Sequence, residues 1–258
     1  MSEDLLIARE DAIATVTFNR PQARNAMTFA MYDALADFCR AAADDPALRV
    51  VLLRGAGGEA FASGTDIAQF RDVRTAEDAL AYEGRISRTL KALEECPVPT
   101  VAAIRGACTG GGAAIACCCD LRIAASDLKF GFPIARTLGN TLSLENYARM
   151  ANLLGPARVK DLIFTARLAR ADEVAAWGLL SGVVEPSELD RAAQDLARRM
   201  AAMAPLTLRA GKKALGLLRA PVAQEAARDI NLSCYLSEDF REGVAAFLAK
   251  RPPKWTGR

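Results

Sequence analysis

The stretch Pro97–Asp120, PVPTVAAIRGACTGGGAAIACCCD, constrains this chain more than any other. Val98–Ile104 is an apolar, β-branched run bounded by Pro and Gly, and it reads as a buried strand. Gly106 breaks that run, and the triplet Gly110-Gly111-Gly112 leads into Ala113-Ala114-Ile115-Ala116, which has helical propensity. Glycines ahead of a helix leave backbone N–H groups bare of side chains at the positive end of the helix dipole. Such a turn serves an anion, serves an oxyanion, or is simply a tight, closely packed corner.

Composition narrows the chemistry. A chain of 258 residues can bury a substantial core as one domain, or as one domain with an appendage. The net charge of +2, with acids and bases interspersed, leaves no footprint for nucleic acid. The uncharged run Gly106–Cys119 is too short to cross a bilayer, so no membrane partner is expected. The opening MSEDLLIARED is acidic and lacks the plan of a secretory leader, and seven cysteines without scaffold-like spacing suggest reduced thiols. The expected location is cytoplasmic. There is no histidine, which excludes Ser-His-Asp and Cys-His catalysis, His-ligated zinc and a histidine base. Proton transfer must come from Asp, Glu, Lys, Tyr, Cys, a backbone group or water.

Read in order, Ile13–Phe18, Val50–Leu53 and Leu121–Ala125 are further strands, and Lys129–Pro133 a turn. Helices are expected over Phe29–Ala43, Ala76–Glu94, Leu144–Leu154, Val159–Ala166 and Ala171–Trp177. In Ala76–Glu94 the buried stripe is Leu80, Ile86, Leu90 and Leu93. Beyond a strand ending at Val184 the pattern is helical: Leu189–Met203, Pro205–Leu218, Val222–Leu236 and Glu238–Lys250. Strands alternating with helices and then helices alone indicate an α/β core with a helical appendage. Arg54-Gly55-Ala56 and Arg105-Gly106-Ala107 each close a strand, a hint of a repeated ββα unit.

Six blocks then carry a resemblance: NRPQARNAM (19–27), FASGTDI (61–67), IRGACTGGGAAIACCCDLRIA (104–124), FGFP (130–133), AAWGLLSGVV (175–184) and REGVAAFLAKRPPKW (241–255). Their order and spacing resemble the crotonase superfamily of enoyl-CoA hydratases and isomerases over nearly the full chain. The resemblance implies an α/β fold, a crotonase-like spiral of ββα repeats over residues 1–187, with a C-terminal helical trimerisation region over 188–258. It implies a homotrimer or hexamer, an acyl-CoA thioester as substrate, and no cofactor beyond the coenzyme A of the substrate. It assigns the backbone N–H groups of Thr65 and Gly111 to an oxyanion hole for a thioester enolate. Preorganised donors of that kind contribute about 3–4 kcal/mol each. Ala62, Gly64, Asp66, Ile67 and Gly110 flank those donors as substrate contacts, and Asp66 also has the position of a loop cap. Ala23 and Arg24 match the segment lining the adenine and phosphate end of coenzyme A; Phe247 and Lys250 match C-terminal positions that can complete that pocket. The plain alternative for the last two is a buried aromatic and a solvated lysine.

The departures are as informative. The two glutamates that activate water in resembling hydratases correspond to Ala114 and Ile134, and neither can move a proton. Isomerisation, retro-Claisen cleavage or decarboxylation is therefore expected rather than standard hydration, with a non-catalytic acyl-CoA-binding homologue as the alternative. Asn140 and Thr141 fall where the family lines its acyl pocket, and Thr141 occupies the position of the nucleophilic aspartate of 4-chlorobenzoyl-CoA dehalogenases. Glu145 is the nearest carboxylate and the leading acid–base candidate, followed by Asp72, Tyr82 and Glu83 on the segment after the first oxyanion block. Cys117-Cys118-Cys119 read as small buried residues, because consecutive helical side chains fan apart and cannot converge on one metal.

Overall fold

The computed structural model describes residues 3–71, 73–218, 228, 232 and 235–256. Asp72 and most of the helix expected over Val222–Leu236 lie outside the described residues.

Two sheets form the frame. The larger comprises β1 (Leu5–Glu10), β2 (Ile13–Phe18), β3 (Val50–Gly55), β5 (Thr100–Ile104), β7 (Leu121–Ala125) and β10 (Gly182–Val184), in the order β1-β2-β3-β5-β7-β10. Only the β1–β2 hairpin is antiparallel; the remaining neighbours in this sheet run parallel. The smaller sheet orders β4 (Ala60–Ala62), β6 (Ala107–Thr109), β8 (Lys129–Gly131) and β9 (Ala169–Arg170). Three times the chain runs from a strand of the large sheet to one of the small: β3 to β4, β5 to β6, β7 to β8. The two Arg-Gly-Ala corners are the first two of these passages. Lys129–Gly131, read from sequence as part of a turn, is a strand, as are the segments after both corners. Three residues are too few for a period to register, and their pairing comes from neighbours far along the chain.

Alternation decides the two faces of the large sheet. Val51, Leu53, Ala102 and Ile104 enter the main core, whereas Val50, Leu52, Val101 and Ala103 pack under α8 (Leu189–Ala201) through Leu189, Ala193 and Ala197. The helix beyond residue 187 is therefore the cover of the sheet's second face. Each large aliphatic side chain buried there contributes about 1.5–3 kcal/mol.

The main core is roofed by α1 (Phe29–Ala41) and α2 (Ala76–Glu94), with α3 (Gly111–Cys118) beneath them. Thr75 starts α2 with a reciprocal cap to Asp78. The inward face of α2 is Ala79, Tyr82, Glu83, Ile86, Thr89, Leu90 and Leu93, so Leu80 is displaced from the expected stripe. α4 (Ile134–Thr137), α5 (Leu144–Leu154), α6 (Pro156–Thr165) and α7 (Ala171–Ala176) follow, then α9 (Pro205–Leu217) and α10 (Glu238–Leu248). Ser143 and Ser237 cap α5 and α10 by accepting from Asn146 N and Phe240 N. At the far end of α3, buried Arg122 donates to the carbonyls of Ala116 and Cys119, and to those of Asp120 and Leu179. A fixed cation at that end satisfies the orphan carbonyls and complements the dipole whose positive end lies at Gly111. No helix among the described residues is long and apolar enough to cross a membrane.

Candidate active site

A cavity of about 740 Å³ opens where the N-terminus of α3 meets the loop after β4. That loop is held by the segment before α1: Met27 N donates to Gly64 O at 2.8 Å, and Asp66 N donates to Met27 O at 2.9 Å. Asp66 then accepts from Ala68 N at 3.1 Å and pairs with Arg20 at 2.9 Å. The triple-glycine turn is anchored separately. Gly110 N donates to Gly131 O at 3.0 Å, and the Thr109 hydroxyl donates to Ser63 O at 2.9 Å.

These anchors bring the two oxyanion candidates together. A β-carbon on Gly64 would lie 3.7 Å from Gly111 N, and one on Gly111 would lie 3.3 Å from Thr65 Oγ1. Gly111 is the first residue of α3, so its N–H has no intrahelical acceptor and stands at the positive end of the dipole. The glycines are required by close approach. A β-carbon on Gly111 would lie 2.1 Å from the Tyr32 hydroxyl oxygen, and one on Gly112 would lie 2.1 Å from Ala62 O. Ala62 thus supports α3 from behind rather than lining the cavity, whereas Gly64, Asp66, Ile67 and Gly110 line it.

Behind the donors runs a band of hydroxyls. Tyr32 Oη and Thr65 Oγ1 lie 2.9 Å apart, and Thr65 Oγ1 and Tyr82 Oη 3.2 Å apart. The Tyr82 and Tyr235 rings pack at 5.6 Å between centroids. Tyr235 donates to Glu83 Oε1 at 2.5 Å and accepts from Asn140 Nδ2 at 3.1 Å. Burial pushes the Tyr32 phenol up to about 12 and raises Tyr82 and Tyr235 as well, so all three remain neutral donors. Burial also pushes Glu83 up to about 7, opposed by the Tyr235 hydrogen bond and assisted by the Glu145 charge.

Ala114 and Ile134 are both buried and both line the cavity, together with Leu138, Leu142 and Ile86. Thr141 shares a hydrogen bond with Tyr147 at 3.1 Å, and Asn140 Oδ1 is buried without a partner among the described residues. At the mouth stand Ala23, Arg24, Phe247 and Lys250. Phe247 is 51% exposed, so the reading of it as a buried aromatic does not hold. Arg24 is presented by a left-handed corner (φ 50°) pinned by buried Asn25, which donates to Ala56 O and Ala60 O.

Glu145 goes elsewhere. It lines a second cavity of about 720 Å³, with Lys91, Glu94, Arg149 and Lys212 among its walls. Asn146, its neighbour on α5, faces the first cavity in its place. Among the described residues, the carboxylate that reaches the first cavity from a helix is Glu83. Its signal in the sequence was a glutamate on the stripe Ala79, Ile86, Leu90, Leu93, where an amphipathic helix carries apolar side chains. Tyr32 and Tyr235 gave no such signal, because an aromatic at a buried position reads as core.

The family model described as enoyl-CoA hydratase/isomerase matches residues 8–258. A crotonyl-CoA hydratase from Syntrophomonas wolfei subsp. wolfei is 33% identical over 252 residues, 96% of this chain and 96% of that protein. The crystal structure of an enoyl-CoA hydratase/carnithine racemase from Magnetospirillum magneticum is similar with a TM-score of 0.81 and 38% identity, over 100% of this chain and 97% of the other. Methylmalonyl-CoA decarboxylase in complex with 2-nitronate-propionyl-CoA is similar with a TM-score of 0.88 and 28% identity, over 100% of both chains.

Proposed function

The chain belongs to the enoyl-CoA hydratase/isomerase family, and we propose that it processes an acyl-CoA thioester through an enolate rather than by adding water to a double bond. The thioester oxygen lies between the N–H groups of Thr65 and Gly111, and coenzyme A extends past Ala23 and Arg24 to the mouth. Donors fixed by backbone anchors and a helix dipole meet the charge that develops on that oxygen without having to reorganise.

The observation that carries this reading is the pair Ala114 and Ile134, two buried apolar side chains in the cavity wall beside those donors. Hydration needs a base to activate water and an acid for the α-carbon, and neither side chain supplies one. Double-bond isomerisation, decarboxylation and carbon–carbon cleavage each pass through a thioester enolate and need fewer carboxylates. Likeness to a methylmalonyl-CoA decarboxylase across the whole chain supports that range of reactions.

A homotrimer, alone or paired as a hexamer, completes the proposal. α9 buries none of its residues and leaves Leu206, Leu215 and Leu217 exposed, an apolar face that self-association would cover. Light scattering on the purified protein measures this directly.

The test of the function is turnover of short, branched, aromatic and carboxylated acyl-CoAs in deuterated water, followed by mass spectrometry. Deuterium at the α-carbon without net hydration is expected. Efficient hydration of crotonyl-CoA would overturn the reading, and tight binding with neither exchange nor product across the panel would replace it with the non-catalytic one.

A further inference from the structure

The enolate reading leaves open which group moves the proton, and the cavity contains a carboxyl outside the two positions where hydratases keep theirs. Two carboxylates line it among the described residues. Asp66 is committed to Arg20 and to Ala68 N, whereas Glu83 meets the Tyr235 hydroxyl. Glu83 sits on the buried face of α2, where an apolar residue would pack at lower cost. Among the described residues no cation pairs with Glu83, and a buried carboxyl without one is expensive to ionise; it stands in the wall of a ligand-sized cavity.

Its position relative to the oxyanion donors is set by its neighbour. Tyr82, adjacent on the same turn of α2, places its hydroxyl 3.2 Å from Thr65 Oγ1. The helix that carries Glu83 is thereby tied to the loop whose N–H receives the thioester oxygen. Among the described residues, the titratable groups within electrostatic reach of Glu83 are Tyr82 from α2, Tyr32 from α1, Tyr235 ahead of α10 and, from the second cavity, Glu145 on α5; none of these is a cation.

We propose that Glu83 is the catalytic proton-transfer residue of this cavity, acting at the α-carbon of the bound thioester, with Tyr235 as its positioning residue. The proposal rests on the enolate reading. In delivery, the Glu83 O–H bond breaks and a C–H bond forms at the α-carbon. The electron pair of that bond comes from the enolate, whose oxygen returns to a thioester carbonyl, and Glu83 is left as a carboxylate. In abstraction the same atoms move in reverse. Where the enolate arises by loss of carbon dioxide, its electron pair is that of the broken carbon–carbon bond, and Glu83 supplies the proton that replaces the carboxyl group. A carboxyl reached from α2 takes over the acid–base work that α3 and α4 cannot perform through Ala114 and Ile134.

The experiment compares the full-length wild type with Glu83→Gln and Tyr235→Phe in the deuterium assay, alongside calorimetric affinity for a saturated acyl-CoA. E83Q is expected to slow α-exchange by roughly 10²–10⁴-fold while affinity stays within a few-fold. Y235F is expected to retain exchange and to move its pH profile upward, because the lost hydroxyl had stabilised the carboxylate. Glu83→Asp covers poor folding of E83Q. It is expected to keep a measurable, slower rate with a carboxylate pH dependence. E83Q exchanging at the wild-type rate would overturn the role of Glu83 alone, and an unmoved Y235F profile that of Tyr235. A wild type that exchanges with no acyl-CoA of the panel would instead sink the enolate reading, and this proposal with it.

Discussion

The Tyr32 hydroxyl oxygen occupies the space a β-carbon on Gly111 would need, 2.1 Å from where that carbon would sit. The glycine that opens α3 is therefore dictated from behind, by a residue of α1, before any substrate is considered. The same hydroxyl shares a hydrogen bond with Thr65 Oγ1, so one tyrosine braces both the loop after β4 and the start of α3.

Gly111→Ala is expected to cost about 1–3 kcal/mol in stability from overpacking and to abolish turnover. Tyr32→Phe in the same chain removes the obstructing oxygen and leaves the nearest ring carbon at 3.4 Å, an ordinary contact. The double variant should regain most of the lost stability in urea unfolding. A double variant no more stable than G111A would show that the clash lies elsewhere.

Glu83 makes stability depend on pH in a direction opposite to that of a salt-bridged carboxylate. Burial raises its pKa from 4.5 in the unfolded chain to about 7, so the folded state holds a proton that the unfolded state releases. Its stabilising share is complete below about 4.5 and is lost as pH rises through about 7, on the order of 3 kcal/mol in all. E83Q should lack this decline, and its stability relative to wild type should grow between those limits. Parallel curves for the two proteins would contradict the assignment.

Asp66 connects the loop after β4 to the segment around Arg20. Asp66→Ala removes a cap and a partly buried ion pair, and should lower stability by about 1 kcal/mol. Because Thr65 precedes the cap, turnover should fall more than affinity. Denaturant titration and acyl-CoA kinetics on one preparation separate the two effects.

Arg24 tests the mouth. If it pairs with a phosphate of coenzyme A, Arg24→Ala should raise KM roughly tenfold, equivalent to about 1.4 kcal/mol, with little change in kcat. The loss should shrink at high salt. An unchanged KM would remove Arg24 from the coenzyme A path.

Local rules carried a good part of this protein. α2 runs from Ala76 to Glu94 and α5 from Leu144 to Leu154 as propensity, capping and period predict, and the glycine triplet does open a helix. The missing histidines and the apolar residues at 114 and 134 are likewise facts of composition and position, readable without coordinates. The three-residue strands of the small sheet were not legible, because their pairing energy comes from partners such as Ala60 and Ala107, distant along the chain. The choice between Glu83 and Glu145 was not legible either. Both sit on amphipathic helices, and which face of α2 and of α5 meets the glycine turn depends on how the helices pack. Distance along the chain favoured Glu145; packing turned it toward another cavity and left Glu83 beside Tyr235. Sequence sets which groups exist and which short segments are helical, since those depend on neighbours a few residues away. Tertiary structure decides which groups meet and which carboxyl loses its water, since burial is a property of the whole packed chain.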